Sequence, residues 1–351
     1  MMKIVLGLLA GLCVALFAIS GINSTIDTDG RFTSGIPKKA ADRADDYAKQ
    51  LFASKGGLVA VGDERLIKRA LVVAGRGDCH VIGSSRAMTI QAKAIRLIAP
   101  ECQQPVNLGV SGGSFEDILI YAHLAITHQS KHLFINIDHW TFQPRADDRF
   151  YELGDEYCNA VRFFSLQRAD CAVQQEKGKR IDPAYALKNL RSLPSAPVKE
   201  YRVMPAESRN SNEAATLADG SHEYSLEYRQ KMLRTWDARH LSYKLLPGPP
   251  SEAALEDFRK LLKKASSSGV SVAFVLAPYH PRVFECEVPA MCLALQTTQA
   301  ASTALAEQAG AKLYGSYKVP GVGAEDFMSD MFLFPAAFER VFTFPKGKSS
   351  R

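Results

Sequence analysis

Two adjacent serines carry the first chemical possibility in this chain. The stretch Val81-Ile82-Gly83-Ser84-Ser85-Arg86-Ala87-Met88 follows an apolar run, Cys79 to Ile82, and leads into apolar residues three and four apart from Ala87 to Ile98. That order reads as a strand, a tight turn and a helix. A serine there stands at the carboxyl end of a parallel strand, where open α/β sheets bind ligands. It also stands at a helix N-terminus, whose free N–H groups favour a developing oxyanion. The plainer reading is that Ser84 and Ser85 cap the helix, since serine is a favoured N-cap residue.

A serine nucleophile needs a base, and a histidine within hydrogen-bond reach is the usual one. His280, in Pro278-Tyr279-His280-Pro281 after the strand Val270 to Ala277, is the first candidate. His139, in Asp138-His139-Trp140 after the strand Leu133 to Ile137, is the alternative. Each also has a purely structural reading as a turn residue. His123, His128 and His132 have near-helical spacing but no carboxylate partner in the run, so they read as a solvated face. Asp117 reads as a first-turn carboxylate favoured by the helix dipole. No cysteine pair has C-x-x-C spacing, and no dinucleotide or P-loop glycine motif is present, so neither a metal nor a cofactor is expected.

Positioning such groups takes a regular scaffold. Strand Cys79 to Ile82, helix Ala87 to Ile98, a strand around Val106 to Leu108, helix Phe115 to His128 and strand Leu133 to Ile137 alternate as βαβαβ. That pattern predicts a parallel sheet with helices on both faces and right-handed crossovers. Helix Ser251 to Ala265, strand Val270 to Ala277, helix Pro289 to Ala309 and strand Lys312 to Tyr314 extend the sheet to about five strands. Between them, residues 145–250 read as an insertion with helical stretches near 159–168, 181–192 and 223–236. Its loop from Ser192 to Ser221 has no periodicity and reads as a lid over the carboxyl edge of the sheet.

After Lys3, residues Ile4 to Ile22 carry no charge, and a run of about 19 apolar and small residues can just span a bilayer. The segment reads as an export signal, and its length favours an uncleaved anchor. Residues 1–23 are thus a signal anchor or signal peptide. Residues 24–75 follow as a juxtamembrane linker with helices at Lys38 to Ala53 and Glu64 to Val73. The α/β domain occupies 76–345, and 346–351 form a tail. Of seven cysteines, Cys13 lies in the apolar run, and the others fall as Cys79 and Cys102, Cys158 and Cys171, Cys286 and Cys292. An even count in an exported chain implies disulfides. Six cysteines allow about 15 connectivities; neighbour pairing is attractive because Cys79 and Cys102 each precede a strand. A net charge of +6 over 351 residues is mild, and the basic residues form no stripe interleaved with aromatics, so nucleic acid is not an expected partner.

Three blocks in order, Gly83-Ser84-Ser85-Arg86, Asn107-Leu108-Gly109-Val110-Ser111-Gly112-Gly113-Ser114 and Asp138-His139-Trp140, resemble the SGNH (GDSL-like) hydrolase superfamily. The closer resemblance is to membrane-anchored extracytoplasmic members that handle acyl groups on cell-envelope polymers. Asp219-Gly220-Ser221-His222 and the turn Pro278 to Pro281 resemble that branch too, so the likeness runs from about Cys79 to Phe342. It implies a three-layer, flavodoxin-like α/β domain with a helical insertion, preceded by a membrane helix. It also implies Ser85 as nucleophile and an oxyanion hole of Ser85, Gly112 and a third-block residue, with substrate contacts at Arg86, Ser111 and Trp140. Where the family carries an asparagine, this chain has Asp138, His139 or Trp140, with Asn136 still inside the strand. Asp138, the candidate for that place, is a poor oxyanion donor when ionised. The family's closing Asp-x-x-His pair is not found. The best ungapped placement puts Ser329 and Phe332 there, a shift of one residue gives Asp330 and Leu333, and no histidine follows His280.

Two functional expectations follow from the resemblance. One is a serine esterase or O-acetyltransferase acting on an acylated extracytoplasmic polysaccharide through an acyl-serine, alongside a membrane-bound acyltransferase. The other is a catalytically impaired relative that binds glycan or partner proteins in envelope polysaccharide assembly. Both place the chain in the bacterial periplasm, anchored to the inner membrane, with a cell-envelope or exported polysaccharide as partner.

Overall fold

The computed structural model describes residues 38–53, 57–59, 64–143, 147, 149–169, 171, 202–204, 214–235, 248–286, 288–329 and 331–343, with helical residues also at 11, 14–19, 21 and 187. In chain order its helices and strands begin with α1 Lys38–Ala53, β1 Gly57–Val59, α2 Glu64–Val73, β2 Cys79–Ile82, α3 Ala92–Ile98, β3 Pro105–Asn107, α4 Phe115–Thr127 and β4 His132–Asn136. They continue with α5 Gly154–Phe163, β5 Arg202–Met204, β6 Ala215–Leu217, β7 His222–Glu223, α6 Leu226–Thr235, α7 Glu252–Ser267, β8 Ser271–Leu276, α8 Pro289–Ala309, β9 Lys312–Gly315 and α9 Ala337–Thr343.

The centre is a five-stranded sheet in the order β3-β2-β4-β8-β9, and every neighbouring pair in it is parallel. Its inner strands are near-continuous apolar runs because both faces are covered. Side chains alternate between two apolar clusters. Val81, Phe134, Ala273 and Val275 pack with Ile95 of α3 and Phe338 of α9. Ile82, Leu133, Ile135, Phe274 and Leu276 pack with Leu119 of α4, Phe258 of α7 and Leu295 of α8. The result is a mixed α/β domain with helices on both faces of a parallel sheet, consistent with three layers.

The first helix after the serine turn begins later than its apolar spacing predicts. Residues Ser84 to Ile90 are held by successive three-residue turns, Ala87 N to Ser84 O, Met88 N to Ser85 O and Ile90 N to Ala87 O, and α3 starts only at Ala92. The reason is long-range. The Asn107 amide donates to the carbonyls of Ala87 and Ile90, and His222 N donates to Met88 O, so these carbonyls are taken before an α-helical turn can use them. The N-cap of α3 is Gln91, and neither serine caps it. The expected helix-terminus field at Ser85 therefore has no seven-residue α3 behind it; that helix lies a turn further on.

A second sheet, in the order β5-β1-β6-β7, is antiparallel and joins the stretch expected as linker to the one expected as lid. Helix α2 packs into the main core through Leu66, Ile67, Ala70 and Leu71. In the insertion, α5 covers Gly154–Phe163 where 159–168 was expected, and α6 matches the third stretch closely. The stretch 181–192 except residue 187, the tail and most of the N-terminal apolar run lie outside the described residues. No helix among the described residues is long and apolar enough to cross a membrane. Disulfides join Cys79 to Cys102, Cys158 to Cys171 and Cys286 to Cys292, the neighbour pairing. Three disulfides point to an oxidising, extracytoplasmic environment.

Candidate functional site

The serine turn lies at the carboxyl end of β2, against the glycine loop after β3. The two meet backbone to backbone: a Cβ added to Gly113 would stand 2.7 Å from Gly83 O and 2.9 Å from Ser84 Cα, so only glycine fits. Gly112 takes a positive φ of 60°, and the Arg149 guanidinium, paired with Asp147, lies where its Cβ would be. The loop is braced on all sides. Trp140 Nε1 donates to Gly113 O at 3.1 Å, Ser111 N donates to Glu64 Oε2 at 2.8 Å, and Arg65 Nη2 donates to Ser111 O at 3.3 Å. Trp140 is buried behind the loop, whereas Ser111 is half-buried beside Met88.

Ser84 is buried and its hydroxyl accepts from Arg86 N at 3.2 Å. Ser85 is half-buried, and among the described residues no side chain hydrogen-bonds its hydroxyl. Arg86 turns inward and is spent on the fold. Its Nη1 donates to Asp138 Oδ1 at 2.6 Å, Nη2 to Ala277 O and Pro278 O at 2.5 and 2.8 Å, and Nε to Met331 O at 3.1 Å. The guanidinium carbon also stands 3.5 Å from the centre of the Tyr279 ring, a cation–π contact. One side chain thus ties the ends of β2, β4 and β8 to the C-terminal loop.

Asp138 is the anion of that knot. Its Oδ1 also accepts from Asn136 Nδ2 at 3.0 Å, and its N–H donates to Thr141 Oγ1 at 2.8 Å, which leaves it no donor for an oxyanion. His139 is buried with Nδ1 at 2.9 Å from the Tyr279 hydroxyl and its ring edge-on to Trp140. Burial, and then the Arg86 charge, push its pKa down to about 3, so it stays neutral. His280 caps the short 3-10 helix Pro281–Glu285, accepting from Arg282 N at 3.2 Å, and packs edge-on to Phe327. Burial and the neighbouring Arg282 lower its pKa. Neither histidine hydrogen-bonds Ser85. Phe332, at the place that the resemblance gives to the base, is buried against the Tyr224 ring, and Ser329, at the place of the aspartate, is buried too. Asp330 lies outside the described residues.

Three residues of α2 that the sequence reading left in the linker shape this region. Glu64 and Arg65 hold Ser111, and Arg65 also makes two bonds to Asp117, 2.7 and 3.0 Å long. Burial works against the Arg65 charge, but the Asp117 carboxylate more than offsets it and raises the Arg65 pKa. Asp117 in turn accepts from Ser114 N at 3.0 Å, half of a capping box at the start of α4. Lys68 is fully enclosed and donates to Asn107 O at 2.9 Å and to Gly220 O, clasping the β6-β7 turn to the end of β3. Burial lowers its pKa to about 8. The available signal was the spacing of Arg65 and Lys68, three apart on a helix otherwise rich in apolar residues.

No protein-family model matches this chain, and no curated protein matches it.

Proposed function

We propose that this chain is a catalytically silent, SGNH-like protein of the bacterial cell envelope. On this reading it binds an exported polysaccharide beside the membrane to which its N-terminal apolar run anchors it. The observation that carries the reading is that, among the described residues, no side chain hydrogen-bonds Ser85. The groups able to activate it are engaged elsewhere: His139 with Tyr279, His280 in its 3-10 cap, and Asp138 with Arg86. Loss of a triad base leaves only the residual catalysis of binding and oxyanion contacts.

A second reading, an esterase or O-acetyltransferase forming an acyl-serine, is favoured by the partial exposure of Ser85 at the carboxyl end of β2. Intact-mass labelling of the full chain with a fluorophosphonate and an activated acetyl ester separates the two. The expected result is no adduct, together with co-sedimentation with acetylated polysaccharide that is unchanged in Ser85→Ala. A stoichiometric adduct that disappears in Ser85→Ala would replace the binding reading with the enzymatic one.

A further inference from the structure

The amino end of the same sheet carries a cluster that the serine turn does not use. Cys79 begins β2 and His132 begins β4, and the two stand opposite each other in the parallel ladder, so their side chains share a face. Cys102, from the turn after α3, reaches that face to meet Cys79. The two sulfurs and an imidazole nitrogen of His132 all lie within 4.8 Å of one another. Glu101 adds a carboxylate oxygen 3.5 Å from His132 Nε2. A cavity of about 30 Å³ lies alongside, lined in part by Glu101, His132 and Tyr314. The sulfurs are buried, while the His132 and Glu101 side chains are 24% and 54% exposed, so the cluster meets solvent on its imidazole side.

We propose that Cys79, Cys102 and His132 form, when their disulfide is open, a binding site for one thiophilic divalent cation of the zinc class, with Glu101 as fourth donor. Two thiolates, an imidazole and a carboxylate are a tetrahedral zinc set, with bonds of about 2.3 Å to sulfur and about 2.0 Å to nitrogen and oxygen. Tetrahedral angles at those lengths separate donors by roughly 3.3–3.8 Å, close to the 4.8 Å within which the two sulfurs and the imidazole nitrogen already lie, once the opened sulfurs move apart. The opening step is thiol–disulfide exchange. A dithiol supplies two electrons and two protons, the Cys79–Cys102 bond breaks to two thiols, and the dithiol leaves as its own disulfide. Each thiol then releases its proton to solvent as its sulfur donates an electron pair to the cation. The disulfide and the metal site are thus alternative states of one cluster, and the reducing power around the protein selects between them.

The test is zinc binding by the full chain after reduction with a dithiol and desalting without oxygen, followed by alkylation with iodoacetamide. The expected result is one zinc per chain, with Cys79 and Cys102 protected and Cys158, Cys171, Cys286 and Cys292 alkylated. His132→Ala should weaken binding at least about tenfold, the loss that follows removal of even an outer partner of a metal ligand. Glu101→Gln should weaken it less. Far-UV circular dichroism accompanies each sample. If reduction unfolds the chain, zinc should restore the fold in wild type and not in His132→Ala. No zinc uptake, protection of a different cysteine pair, undiminished affinity in His132→Ala, or an unfolded reduced chain that zinc does not restore would each overturn the proposal.

Discussion

At their carboxyl ends, β2 and β4 run into Ser85, Arg86 and Asp138; at their amino ends they begin with Cys79 and His132. The carboxyl end is where parallel sheets gather chemistry, yet here its charges are consumed. Arg86 and Asp138, with side chains 0% and 1% exposed, satisfy each other and three carbonyls from two further segments. The amino end holds a disulfide and an imidazole on one face, with the Glu101 carboxylate 3.5 Å from the imidazole and a cavity alongside. The contrast teaches that position in a fold does not make a site. A group is available for chemistry only where the fold has not already used its hydrogen bonds and charge.

Substitutions at the two ends should separate these roles, and the largest effect belongs to the carboxyl knot. Arg86→Ala would leave the Asp138 carboxylate buried without its cation and take the Arg86 donor from three carbonyls. It should cost about 3–5 kcal/mol in urea unfolding, the range for breaking one partner of a buried pair. If it cost less than a surface change, the guanidinium would not be holding these loops together. At the amino end, Cys79→Ser with Cys102→Ser removes a crosslink across 23 residues and should cost about 2–4 kcal/mol under oxidising conditions. That loss should shrink when wild type is measured with a reductant and no metal.

Next comes a pH effect from the Lys68 clasp at the end of β3. The folded Lys68 pKa, about 8, lies below its ordinary 10.5, so between those values the unfolded chain binds more protons. Stability should therefore rise with pH across that window, by about 1 kcal/mol per pH unit at most. Below pH 8 both states carry the proton and this contribution is flat. Urea midpoints at pH 7, 8.5 and 10 should show the rise in wild type and lose it in Lys68→Met. The smallest effect is at Ser85 itself. With no hydrogen bond on its hydroxyl from the described residues, Ser85→Ala should change stability by less than about 0.5 kcal/mol; a large loss would mean that the hydroxyl has a structural partner after all.

The sheet was legible because its inner strands are buried on both faces and so read as short apolar runs separated by periodic helices. The start of α3 was not legible. Its apolar spacing begins at Ala87, but the Asn107 amide and the His222 N–H take the carbonyls that would have accepted its first bonds. The second sheet was missed for a different reason. Strands of two or three residues, such as Gly57–Val59 and His222–Glu223, are too short to show alternation, and the pairing of Gly57–Val59 joins residues far apart in the chain. Lys68 was read with a charged linker helix because a sequence shows a charge without showing what encloses it.

The sequence by itself determined the alternating strands and helices, the even set of cysteines beyond the apolar run and the absence of a histidine after His280. Each of those is a property of residue type and local spacing. Tertiary structure alone decided which polar groups were consumed. Arg86 donates to Met331, 245 residues away, and His139 meets Tyr279, 140 residues away. A hydrogen bond is chosen by distance and direction in space, and burial makes an unpaired polar group too costly to leave open. Side chains that read as candidates for catalysis therefore became fixtures of the fold once it closed.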